Sequence, residues 1–142
     1  MYSKHFSKKE FNYIKPEERL LNVLENLRNK TKNPIIITDS ARTPLQHINI
    51  YKKLEVEGKL GRKTWQEAIP WGSRHLPAFG KNLRAVDIKC KKDNGYYKGE
   101  EIYKFLKEVQ SELNINLGVG VGKNYCHVDI DRKKPTTWTY DY

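Results

Sequence analysis

The segments Ala85-Val86-Asp87-Ile88-Lys89-Cys90 and Tyr125-Cys126-His127-Val128-Asp129-Ile130 alternate their side chains with the two-residue period of a β-strand. In the first, Val86, Ile88 and Cys90 share one face and Ala85, Asp87 and Lys89 the other. In the second, Cys126, Val128 and Ile130 oppose Tyr125, His127 and Asp129. The apolar faces belong to a core. Each strand therefore carries ionisable groups on the side that the core does not use.

Helical patterns flank these strands. A helix is predicted from Pro16 to Lys30, with Pro16 in the first turn, Glu17 and Glu18 at the positive end of the helix dipole, and an apolar stripe of Leu20, Leu21, Leu24 and Leu27. Asn33-Pro34 breaks it, and Ile35 to Thr38 reads as a short buried strand. The strand runs into Asp39-Ser40-Ala41-Arg42-Thr43-Pro44, a loop at a strand end, where functional side chains are often presented. A second helix is predicted from Pro44 to about Glu57, ended by Gly58 and Gly61. From Lys59 to Leu83 the chain is rich in Gly, Pro and Trp without periodicity, which reads as a functional or a disordered loop. Asn94-Gly95 signals a hairpin or loop, and Ile102, Phe105, Leu106, Val109 and Leu113 mark a third helix. Leu117 to Val121 precedes the second alternating strand across a turn at Gly122-Lys123-Asn124.

With 142 residues the chain is expected to form one domain. The longest apolar run, Ile35-Ile36-Ile37, excludes a membrane-spanning helix, and no secretory signal is expected in the polar, basic stretch Met1 to Glu10. Lys and Arg number 27 against 17 Asp and Glu, a net charge of +10 that favours polyanions: nucleic acid, anionic lipid or anionic wall polymers. A lysine-solvated surface accounts for the same charge equally well. Cys90 and Cys126 lie in strand patterns and read as small core residues, being too few for a disulfide framework.

Asp87 and His127 are candidate metal ligands, and His75, in Ser73-Arg74-His75, is a third. Two imidazoles and a carboxylate that leave a fourth position open to water make a catalytic zinc site. A single strand histidine is, on spacing alone, more often a hydrogen-bonded or surface residue than a ligand. His5 and His47 lie outside this grouping, in the polar N-terminal segment and on the second helix.

The order Ser73-x-His75, Ala85-x-Asp87-Ile88, Gly118-Val119-Gly120-Val121, His127-Val128-Asp129 resembles the D-Ala-D-Ala carboxypeptidase family of zinc peptidases. That family includes peptidoglycan carboxypeptidases, D,D-dipeptidases and phage endolysins, and shares its fold with the Hedgehog signalling domain. Lys4 to Phe11 is similar to the start of the family's N-terminal helix, and Ile36 to Arg42 to its strand and Tyr-Arg element. The resemblance implies an α+β domain over residues 1–142, a small central antiparallel sheet with flanking helices and the zinc site on one sheet face. It also implies a zinc metallopeptidase, a D,D- or L,D-peptidase acting on peptidoglycan, with His75, Asp87 and His127 as Zn2+ ligands. Arg42 would stabilise the oxyanion or hold a substrate carboxylate, and Ser73 would contact substrate.

Two departures bear on that implication. Leu76 to Arg84 enlarges the family's short gap between its first His and its Asp, with Leu83 at the pattern's Gly position. Asn124 stands where several members place a Glu as general base. Asp129 is then either the replacement base or a residue that orients a ligand imidazole. Trp138, Tyr140 and Tyr142 either line a groove or anchor the tail.

The expected partners are peptidoglycan peptides, with anionic wall polymers drawn to the basic surface. The chain is expected to act as a monomer, made in the cytoplasm and working on the wall after release or as a virion component, without inserting in a membrane. A metal-binding or wall-binding module without hydrolysis is the alternative. A nucleic-acid-binding domain is a third reading, which the scattered basic residues and the lack of a recognised binding motif disfavour.

Overall fold

A computed structural model describes residues 1–77 and 82–141, so Tyr142 and part of the enlarged gap after His75 lie outside the described residues. Helix α1, Glu18–Thr31, buries Leu20, Leu21, Val23, Leu24 and Leu27 along one stripe. Its start is later than the sequence suggests: Glu17 is the N-cap, and Pro16 pairs with Leu83 in a parallel bridge instead of opening the helix. Leu83 N–H donates to the Lys15 carbonyl at 2.9 Å, and Glu17 N–H donates back to the Leu83 carbonyl at 2.8 Å. The bridge ties the entry of α1 to the residues leading into the next long strand.

Strand β1, Ile35–Asp39, leads through the Ser40 to Thr43 loop into α2, Pro44–Val56, and a short α3, Trp65–Ala68, interrupts the stretch read as irregular. Strand β2, Ala85–Lys92, turns through Asp93-Asn94 into β3, Gly95–Tyr96, so the hairpin falls one residue before the Asn-Gly pair. Helix α4, Gly99–Leu113, follows, then β4, Gly118–Val121, β5, Cys126–Asp129, and β6, Thr136–Thr139. Among the described residues the result is a mixed α/β domain of one six-stranded sheet and four α-helices.

The sheet order is β1-β2-β5-β4-β6, with β3 attached to β2. Pairings are antiparallel except for β6, which runs parallel to β4. The expected antiparallel sheet is thus mixed at its last strand. On one face α1 packs on α4, and Leu24, Val86, Ile88, Leu106, Val128 and Ile130 belong to one core. Cys90 and Cys126 are fully buried there as free thiols, each pushed up to about 12 by burial. The other face is partly covered: β4 and β5 are buried along their whole length, and α2, Pro70, residues 72–75, Trp138 and Tyr140 line a cavity over it. No described helix is long and apolar enough to cross a membrane.

Candidate metal centre and its cavity

Asp87 and His127 sit directly opposite each other on β2 and β5, a pairing that holds Cβ atoms about 5 Å apart. His75 arrives from outside the sheet and is moored to the loop after β1. Its Nδ1 lies 2.7 Å from the Ser40 carbonyl, and Arg42 N–H donates to the His75 carbonyl at 2.8 Å. A carbonyl only accepts, so Nδ1 carries the hydrogen and Nε2 keeps its lone pair.

His127 is held in the mirror sense. Its Nε2 lies 2.6 Å from Asp129 Oδ2, so the ring donates from Nε2 and presents Nδ1. The two free nitrogens and Asp87 Oδ1 converge: 3.1 Å between nitrogens, 3.3 Å from His75 Nε2 to Asp87 and 3.1 Å from His127 Nδ1 to Asp87. Three acceptors this close repel one another unless a cation, a proton or a metal ion, lies among them. A tetrahedral zinc with ligands at about 2.0 to 2.3 Å keeps them roughly 3.3 Å apart, so the donor set fits a metal ion.

Without a metal ion, electrostatics favour a proton in that place. Burial works against the charge of Asp87, yet with a proton on the facing imidazole nitrogens hydrogen bonds from His127 and His75 outweigh it and hold the carboxyl well below its usual range. Burial likewise opposes an imidazolium at His127, and Asp129 and Asp87 outweigh it, raising its pKa. Asp129, 1% exposed, is desolvated, but Arg132 and His127 bring it down to about 2. Arg132 grips it with a two-pronged fork, Nε to Oδ1 and Nη2 to Oδ2, both at 2.6 Å. Both oxygens of Asp129 are therefore committed.

The Gly118-x-Gly120 pattern makes room for this arrangement. Gly118 lies across from Asp129 and Gly120 across from His127. A Cβ on Gly118 would stand 2.6 Å from Arg132 Nε, and one on Gly120 2.6 Å from Trp138 Nε1. With neither present, the Asp129–Arg132 pair and the Trp138 ring lie across β4. Trp138 packs 5.2 Å from the His127 ring, and the Arg132 guanidinium sits 5.3 Å from the Trp138 ring.

The metal-ligand candidates face a cavity of about 860 Å³, which Arg42, Ser73 and Trp138 also line. Ile50, Tyr51 and Leu54 of α2 form part of its wall. Arg42 is no surface charge, its side chain being 12% exposed. Its Nε and Nη2 donate to Asp39 Oδ2, and Nη2 also lies 4.0 Å from Asp87 Oδ2. Ser73 Oγ accepts from His75 N–H at 3.3 Å.

Other sequence candidates fall elsewhere. Asn124 is exposed in the turn between β4 and β5. His5 pairs with Glu25, away from the cavity. His47, placed outside the grouping by sequence, is fully buried with its Nδ1 3.1 Å from Arg42 Nη1. The missed signal was Thr43-x-x-Gln46, a capping box that brings the residue before the cap toward the fourth helical residue. No protein-family model matches the chain, and no curated protein matches it.

Proposed function

We propose that the chain is a zinc-dependent peptidase that hydrolyses amide bonds in the peptide part of bacterial peptidoglycan, with a Hedgehog-like D,D-peptidase fold. The observation that carries this reading is the convergence of His75 Nε2, His127 Nδ1 and Asp87 Oδ1 beside a cavity that Arg42 also lines. The Ser73-x-His75, Ala85-x-Asp87 and His127-Val128-Asp129 pattern, which resembles the D-Ala-D-Ala carboxypeptidase family, supports it.

His75, Asp87 and His127 would hold the zinc, which supplies Lewis acidity toward an amide carbonyl and acidifies water. The Arg42 guanidinium, between Asp39 and Asp87, meets negative charge developing on the carbonyl oxygen. Asp129, with both oxygens engaged, keeps His127 in the Nε2–H tautomer and acts as a positioning residue. Asp39 lines the cavity next to Asp87 in register and binds Arg42 through Oδ2; its Oδ1 is the oxygen left to take the proton of the attacking water. Trp138 and Ser73 line the same cavity and give the peptide a surface there. The net charge of +10 draws the protein to anionic wall polymers.

The competing reading, a metal-binding module without hydrolysis, draws on the exposed Asn124 and the locked Asp129. One experiment separates them: purified muropeptides are incubated with the protein and followed by mass spectrometry, with and without a chelator. Cleavage that stops on chelation and returns with zinc is expected. Bound zinc without cleavage would leave the module, and cleavage untouched by chelation would remove the metal from the chemistry.

A further inference from the structure

We propose that His47 is a positioning residue that sets the Arg42 guanidinium against the metal-ligand cluster. The inference rests on the peptidase reading for its kinetic consequence only.

Helix α2 opens with Thr43 as N-cap, Pro44 at the first helical position and Gln46 at the third, and the capping box is closed on both sides. Thr43 Oγ1 accepts from Gln46 N–H at 3.1 Å, and Thr43 N–H donates to Gln46 Oε1 at 2.8 Å. A closed box fixes the angle at which the chain enters, so the residue before the cap meets the residue after the box. In many helices that contact is between two apolar side chains. Here the two residues are Arg42 and His47, and the contact is a hydrogen bond from Arg42 Nη1 to His47 Nδ1 at 3.1 Å.

Guanidinium has no acceptor, so Nδ1 must be the unprotonated nitrogen. His47 Nε2–H then donates to the Pro70 carbonyl at 3.0 Å, which uses the second nitrogen. The ring is buried with 0% exposure and packs edge-on to Tyr51, with Trp71 at 5.9 Å. It has one orientation and one tautomer open to it. Arg42 is thereby held at Nη1 by His47 and at Nε and Nη2 by Asp39, which leaves Nη2 facing Asp87. The same ring links Pro70, on the segment that delivers His75, to the loop that delivers Arg42.

The test compares His47→Asn with His47→Gln in protein loaded with zinc. Asn Oδ1 replaces Nδ1 and keeps an acceptor for Arg42, whereas Gln reaches toward Pro70 and leaves Nη1 without one. The readout that needs no substrate is the Arg42 guanidinium 15N spectrum. Resolved Nη signals are expected in wild type and His47→Asn, and averaged signals in His47→Gln. In wild-type protein, long-range 15N correlation should show His47 as the neutral Nε2–H tautomer. An imidazolium or an Nδ1–H form there, or equal Arg42 spectra in the two variants, would overturn the proposal without any variant needing to be active.

On muropeptides, His47→Gln should lose on the order of 10- to 100-fold in kcat with little change in KM or in metal content. Adding it to Arg42→Ala should cost nothing more, because its effect passes through Arg42. Further loss in that background would make His47 a general packing residue. A wild-type protein that cleaves nothing would count against the peptidase reading, while the 15N spectra still decide the role of His47.

Discussion

His127 Nε2 and Asp129 Oδ2 lie 2.6 Å apart, two residues along one strand. Side chains at that spacing share a face of the sheet, and Gly118 on the neighbouring strand leaves the room for Arg132 to close on the far side of the carboxylate. The His127 imidazole, the carboxylate that orients it and the guanidinium that locks the carboxylate thus form a chain.

From that chain, Asp129→Asn is expected to weaken metal binding about 10- to 100-fold, the usual effect of removing a partner that orients a ligand histidine. Competition with a chromogenic chelator measures it directly. Full metal affinity with activity abolished would restore the proton-accepting role for Asp129.

Metal removal should be visible in stability. A ligand present at about 100 times its Kd adds about 2.7 kcal/mol, and at this chain length that raises Tm by on the order of 8 °C. Zinc titrated into chelator-stripped wild type should produce the shift, and Asp87→Ala should show none. Equal shifts in both proteins would move the metal away from His75, Asp87 and His127.

How much of this was legible beforehand follows from range along the chain. Val86, Ile88, Cys90 and Cys126, Val128, Ile130 alternate locally, so β2 and β5 could be read, and with them the face that carries Asp87 and His127. The leucine stripe of α1 was legible for the same reason, but Pro16 was misplaced because its partner, Leu83, is far along the chain. Strand β6 was hidden: Thr136-Thr137-Trp138-Thr139 has no apolar period and is ordered by parallel pairing to the glycine-bearing β4. The third histidine could be named but not located, since His75 is held by Ser40 and Arg42, contacts that no spacing rule contains.

Acid sensitivity has a separable contribution at the N-terminus. Burial pushes the Glu25 carboxyl up, but hydrogen bonds from His5 and Ser3 outweigh it and leave its pKa below the usual 4.5. A depressed folded value means stability that is present in full above about pH 4.5 and lost as pH falls through the lower folded value. Glu25→Gln should therefore cost about 1 kcal/mol at pH 7, with the gap to wild type closing on acidification below pH 4.5. Denaturant melts at several pH values test it, and a gap that widens in acid would reverse the sign.

The close approach at β4 gives the sharpest packing test. Gly120 faces His127, and a methyl added there would stand 2.5 Å from Tyr140 Cε2, 2.6 Å from Trp138 Nε1 and 2.9 Å from Trp138 Cε2. A rigid indole over a strand cannot yield by that much without leaving the His127 ring, 5.2 Å away. Gly120→Ala is expected to cost about 1 to 3 kcal/mol, the range for overpacking a filled site, and to redshift Trp138 emission as the ring moves toward water. In a Trp138→Ala background one of the two obstructing rings is gone while Tyr140 remains, so the same substitution should cost less, and the two changes should be non-additive. Thermal and denaturant melts of the four proteins close the cycle. Equal cost for Gly120→Ala with and without Trp138 would show that the indole is not what the glycine makes room for.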